Sequence, residues 1–201
     1  MIDTIVEFLQ SLNIGEEIIT SLCAMIPLIE LKGAIPIGVR LGNPLIYSAL
    51  FSYLGSTLIS IPLFFALIPV FNLLKKIGFI KRIVEKIEAY LMAKAKKMAE
   101  KSEEKEETAK NKFLFFALLI FVAVPFPITG VWTGTAIAVF LKMKFHHAFA
   151  AISIGNLIAG TIITLLTFFF KPYVDIIIYA LLVLALLMLI LTIYKISKAK
   201  P

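Results

Sequence analysis

The sequence predicts an all-α integral membrane protein. The expected architecture is an inverted-repeat bundle: two re-entrant helical hairpins, about three full transmembrane helices and a cytoplasmic amphipathic helix. Three observations predict it. First, 60% of the residues are apolar and the mean hydropathy is +0.97, too hydrophobic for an ordinary soluble domain. Second, Leu41–Leu74, Phe113–Leu141, Phe145–Phe170 and Ile176–Tyr194 contain no Asp, Glu, Lys or Arg, and each exceeds or approaches the roughly 20 residues that one crossing needs. Third, glycines and prolines interrupt two apolar stretches whose lengths fit no whole number of crossings.

The start of the chain, Met1 to Gly15, is acidic and lacks a basic n-region, so no signal peptide is expected there. Asp3, Glu7, Glu16 and Glu17 precede the first basic residue, Lys32, which favours an outside location for this end. Glu17–Ile26 is too short to span. Pro27, Gly33, Pro36, Gly38 and Gly42 interrupt the next stretch, and Pro44–Phe71 then crosses inward. Residues 17–71 thus form a first repeat: a re-entrant hairpin from the outside, then a span.

Residues 72–112 come next as a basic linker. Twelve Lys and Arg stand against seven Glu, leaving about +5 of the total net charge of +7. Ile77, Ile80, Val84, Ile87 and Leu91 recur at helix-face spacing, which predicts an amphipathic helix on or near the membrane surface. The Lys excess places the linker in the cytoplasm, together with Lys142, Lys144 and the tail Lys195, Lys198 and Lys200. Base-stacking aromatics are not interleaved with these lysines beyond Tyr90, so a nucleic-acid partner is not expected.

Residues 113–170 form the second repeat. From Lys112 the chain must return to Lys142 on the same side within 29 residues, too few for two spans of about 20 each. A re-entrant hairpin from the cytoplasm solves this, with its tip at Pro125–Gly134. Irregular backbone at that depth must be buried in protein or face water. Phe145–Phe170 crosses outward, Lys171-Pro172 turns, and residues 173–195 cross back as the last helix. Gly33 and Gly55 are separated much as Gly134 and Gly155 are. Small residues recur every fourth position in both spans: Ser48, Ser52, Ser56 and Ser60, then Ala151, Gly155 and Ala159. That spacing lets helix backbones approach closely.

Two segments resemble the signatures of a known family. Pro27-Leu-Ile-Glu-Leu-Lys-Gly-Ala-Ile-Pro36 and Val124-Pro-Phe-Pro-Ile-Thr-Gly-Val-Trp-Thr-Gly134 are similar to those of the small multidrug export protein family, which is related to the wider DedA/VTT membrane proteins. Lys32 stands where the family usually has arginine, so a planar fork becomes a point charge. Ile128 and Val131 replace smaller residues and should narrow the second tip. The resemblance implies a membrane transporter. The family name implies drug export; the DedA/VTT relation implies proton-linked homeostasis and translocation of polyprenyl-phosphate and other lipids.

The candidate substrate and ion site draws on both tips: Glu30, Lys32, Gly33 and Arg40 from the first, and Pro125, Pro127, Thr129, Gly130, Trp132, Thr133 and Gly134 from the second, with Asn156 in the following span. An ionisable group at membrane depth is costly and is usually functional. A carboxyl in a low-dielectric cavity favours its protonated form, so Glu30 is the natural coupling group. A static pair with Lys32 or Arg40 is the bland alternative. Residues i and i+2 do not face each other on a helix, so pairing with Lys32 would need a break, for which Gly33 is the candidate. Arg40 can snorkel to headgroups or draw an anionic one in. Thr129, Thr133 and the tip glycines suit an anion at a helix N-terminus. Trp132 can stack on a substrate or simply pack, and Asn156 is best read as an interhelical hydrogen-bonding residue.

Three functions are open. The favoured one is proton-linked translocation of an anionic amphiphile such as a polyprenyl-phosphate carrier. The alternatives are proton-coupled export of small hydrophobic or cationic drugs, and a non-transporting scaffold. No nucleophile motif or nucleotide loop is present, so an enzyme is not expected. The lone Cys23 and the adjacent, divergent His146 and His147 predict neither a metal nor a cofactor. Expected partners are membrane lipids, a small amphiphilic substrate and protons. One small bundle barely encloses two hairpins, which favours a homodimer in a prokaryotic cell membrane.

Overall fold

The structure is a computed structural model that describes residues 7–8, 11, 14–100, 107–126 and 129–198. Among the described residues every regular element is helical. Two short helices, α1 (Glu16–Met25) and α2 (Glu30–Leu41), form the first hairpin. A longer rod continues the chain as α3 (Leu45–Leu58) and α4 (Ser60–Leu74), then α5 (Gly78–Glu100). The second hairpin is α6 (Glu107–Ala123) and α7 (Val131–Phe140). The chain closes with α8 (Phe145–Phe169), a 3-10 turn at Lys171–Tyr173, and α9 (Val174–Lys198).

Three segments are long and apolar enough to cross a membrane: Leu45–Leu74, Phe145–Phe169 and Lys171–Tyr194. These are the three spans expected from the sequence, with one adjustment. The first runs past Phe71 to Leu74 and is broken at Ile59, where the Ser60 hydroxyl bonds the Thr57 carbonyl at 2.6 Å. Their outward faces are apolar, as at Ile46, Leu54, Phe65, Leu157, Phe168, Val183 and Leu187. The hairpin arms are shorter. A ten-residue arm such as α1 or α7 is about 15 Å long, half the hydrocarbon thickness.

Each hairpin lies against the rod next to it in the chain, and a glycine sets the distance in each case. A side chain at Gly55 of α3 would collide with the backbone carbonyl of Ser21 on α1. One at Gly155 of α8 would stand 2.6 Å from the Leu119 carbonyl and 2.9 Å from Val122 Cβ on α6. Interfaces of this kind rely on small residues because lipid tails supply no hydrophobic drive between helices.

The second arms cross over. Leu31 and Ile35 of α2 are buried with Ile163 of α8. Ala136 and Val139 of α7 are buried with Leu67 of α4. Each hairpin's second arm therefore reaches the span belonging to the other half, while α2 also packs on its own span through Leu45, Ala49 and Tyr53. Between the spans, the Asn156 amide donates to Thr57 Oγ1 at 3.0 Å and to Ser56 Oγ at 3.3 Å.

Three sequence expectations change here. Gly33, Pro36 and Gly38 do not interrupt α2, which runs through all of them. Pro36 removes only one donor, the partner of the Lys32 carbonyl. The second tip is shorter than Pro125–Gly134: α7 already begins at Val131, so Gly134 is helical. Finally, α5 spends much of its apolar face on the protein. Val84 and Ala95 are buried, Leu91 packs against Leu67, Ala136 and Val139, and Lys94 lies 5.5 Å from the Phe121 ring.

Candidate functional site at the hairpin tips

The loop Ile26–Ile29 turns the first hairpin, and its backbone is unusual. Leu28 has φ of 76° and Glu30 has φ of 47°. Non-glycine residues visit this left-handed region rarely, at a cost of roughly 1–3 kcal/mol, and stay only where the surroundings fix them. The left-handed turn at Glu30 lets its carboxylate come to 3.5 Å from the Lys32 ammonium. The break that permits this pair is thus at Glu30 itself. Gly33 is needed for another reason: a Cβ there would lie 2.9 Å from Ile29 Cγ2.

Both side chains are nearly sealed from outside, 7% exposed for Glu30 and 6% for Lys32. The tip of the second hairpin seals them. The Lys32 ammonium donates to the Phe126 carbonyl at 2.6 Å. The Trp132 backbone N–H donates to Glu30 Oε1 at 3.2 Å, and its indole N–H donates to the Met25 carbonyl at 3.0 Å. Gly130 lies directly against the carboxylate, and a Cβ there would overlap it. The N-terminus of α7, whose first N–H groups have no intrahelical partner and whose dipole end is positive, is therefore aimed at Glu30. The charges that meet here are one carboxylate, one ammonium and the positive helix end.

This changes what the tip can offer a ligand. The sequence points the α7 N-terminus at an external anion, and in the structure Glu30 supplies that anion. The Thr129 hydroxyl is engaged within its own loop, 2.7 Å from the Phe126 carbonyl and 2.9 Å from that of Val124. Pro125 is half-buried just past the end of α6, and Thr133 is half-buried in the first turn of α7. Gly134 serves packing, since a Cβ there would lie 2.6 Å from Val122 Cγ2. Pro127 and Ile128 lie outside the described residues.

Two predicted residues are drawn elsewhere. Arg40 does not approach Glu30. It pairs with Asp175 at 3.0 Å, tying the end of α2 to the start of α9. Asn156 bonds between the spans as described above. The structure thus gathers Glu30, Lys32, Gly130 and Trp132 into one contact.

The family described as "Putative small multi-drug export protein" matches residues 30–162. The chain belongs to this family. The small multi-drug export match begins at Glu30 and takes in both halves of the tip contact, α5 and most of α8. No curated protein and no solved structure matches the chain.

Sequence reasoning missed three contributors. Met25 and Phe126 act through backbone carbonyls, which residue type does not reveal. Asp175 stands far along the chain from Arg40, with no periodic signal linking them. Nor does anything in Leu28 or Glu30 announce a left-handed backbone.

Proposed function

We propose that this small multi-drug export family member carries small hydrophobic or cationic compounds across the membrane in exchange for protons, with Glu30 as the shared carboxylate. The observation that carries this reading is the sealed Glu30–Lys32 pair at the meeting point of two hairpin tips. A carboxylate that binds either a proton or a cationic substrate, but not both, couples their movements. The family description agrees with export. The anionic-carrier reading fits less well as a first choice, because Lys32 and the α7 N-terminus already face an internal carboxylate.

That second reading keeps one specific support. Protonating Glu30 would leave Lys32 and the Trp132 N–H as a free anion site, suited to a lipid phosphate. Lys32→Ala separates the two in proteoliposomes. Export of a hydrophobic cation should persist or rise, whereas translocation of a polyprenyl phosphate should fail. Loss of cation export with retention of lipid transport contradicts the proposal.

The same reading treats the hairpins as re-entrant and the halves as an inverted repeat. The crossed packing of the second arms and the paired glycines Gly55 and Gly155 support this. It places α5 and the C-terminus in the cytoplasm of a prokaryotic cell, with lipids around the spans and a homodimer as the working unit. No covalent chemistry is part of it.

A further inference from the structure

We infer that Glu30 is also an electrostatic interlock between the two hairpins: its charged carboxylate holds the tips together, and its neutralisation parts them. This rests on the proposed role of Glu30 as a proton-binding group but adds a conformational consequence. Four features define the socket. The Trp132 N–H donates to Oε1, and the Lys32 ammonium stands 3.5 Å from Oε2. Gly130 leaves no side chain where the carboxylate sits. The positive φ of Glu30 points the group out of its own helix and across the gap. Lys32 then extends the contact to the Phe126 carbonyl, so the pair clasps the second tip on both sides of its loop.

Charge matters because both donors prefer an anion. A charge-assisted hydrogen bond is roughly twice as strong as a neutral one, and the helix end favours a negative partner. A protonated Glu30 loses both advantages and leaves the Lys32 ammonium unbalanced. The charged group facing Glu30 is Lys32. Among the described residues the second tip carries no ionisable side chain, and α1 brings only Cys23 near its own tip, with Glu16 and Glu17 at its far end. From α3 come Tyr47 and Tyr53, and from α8 come His146 and His147 in its first turn. From α9 come Asp175, paired with Arg40 at the opposite end of α2, and Tyr179 one turn further on. Acid should therefore act at the tips through Glu30.

The chain supplies its own probe. Trp132 is the only tryptophan, and both of its N–H groups are bonded across the contact. Purified protein without substrate should be titrated while Trp132 emission and its quenching by acrylamide are monitored. Wild type should red-shift and become more quenchable as pH falls. Glu30→Gln should show the shifted, accessible state at every pH. Glu30→Ala should resemble it at neutral pH and return toward the wild-type signal when acetate is added, because the small carboxylate refills the socket. A wild-type signal that ignores pH overturns the interlock, as does a Glu30→Gln titration equal to wild type. Transport is not needed for this readout. A pH-responsive Trp132 without flux would refute only the export reading, and flux with an unresponsive Trp132 would refute only the interlock.

Discussion

Trp132 and Glu30 meet across the two hairpin tips: the tryptophan backbone N–H donates to Glu30 Oε1 at 3.2 Å, although 102 positions separate them. Around that bond the left-handed backbone at Glu30, the bare Cα of Gly130 and the Lys32 ammonium all become intelligible. Each feature is costly or unusual alone. Together they place one carboxylate against one helix end inside a membrane protein.

Gly130→Ala is the most economical perturbation of this contact. The new Cβ falls on the Glu30 carboxylate, so the carboxylate must leave or the tips must separate. Overpacking of this kind costs about 1–3 kcal/mol. Thermal unfolding in detergent should show that loss, and Trp132 emission should shift to the red at neutral pH. An unchanged emission maximum would mean that the carboxylate has another place to stand.

Gly55→Ala and Gly155→Ala should behave alike, because each glycine seats the first arm of a hairpin on its own span. At both, the added Cβ meets backbone, which cannot rotate away. Each variant should lose about 1–3 kcal/mol of stability, read as an earlier thermal transition. A tolerant Gly155 beside an intolerant Gly55 would show that the halves are not built on one plan.

Asn156→Ala removes the amide that bonds Ser56 and Thr57 between the spans. Such bonds within membranes contribute about 0.6 kcal/mol on average and up to roughly 1.7. A modest loss of stability with transport retained is expected, measured by unfolding and flux together. Abolished flux with unchanged stability would return Asn156 to the substrate path.

The Arg40–Asp175 pair should contribute little. Its side chains are 37% and 54% exposed, and exposed pairs are worth about 0–1 kcal/mol and weaken with salt. A double-mutant cycle should give a coupling energy in that range. A coupling above about 2 kcal/mol would show that the link from α2 to α9 carries more than its exposure suggests.

Much of this architecture can be read from the residues alone, and for identifiable reasons. Charge-free runs and their lengths reveal the three spans, because hydrocarbon thickness constrains length directly. The odd lengths around Pro27 and Pro125 point to the two hairpins. Glu30 stands out because a carboxylate among apolar residues is expensive. The partners of Glu30 are only half visible. Lys32 stands out both as a ligand-facing group and as a candidate pair for Glu30, whereas Trp132 and Gly130 stand out only as ligand-facing or packing groups and not as partners of Glu30 across the tips. Contacts between distant tips leave no periodicity, and backbone donors have no residue signature. The inward packing of α5 is hidden for a related reason: an amphipathic face looks the same whether it meets lipid or α7.

Proton-for-substrate exchange at Glu30 is best tested by uptake of a hydrophobic cation into proteoliposomes under an imposed pH gradient, with wild type beside Glu30→Gln. Wild type should accumulate the cation when the gradient drives it, and Glu30→Gln should accumulate none beyond protein-free vesicles. Accumulation by Glu30→Gln at the wild-type rate, still driven by the gradient, would contradict a coupling role for this carboxylate.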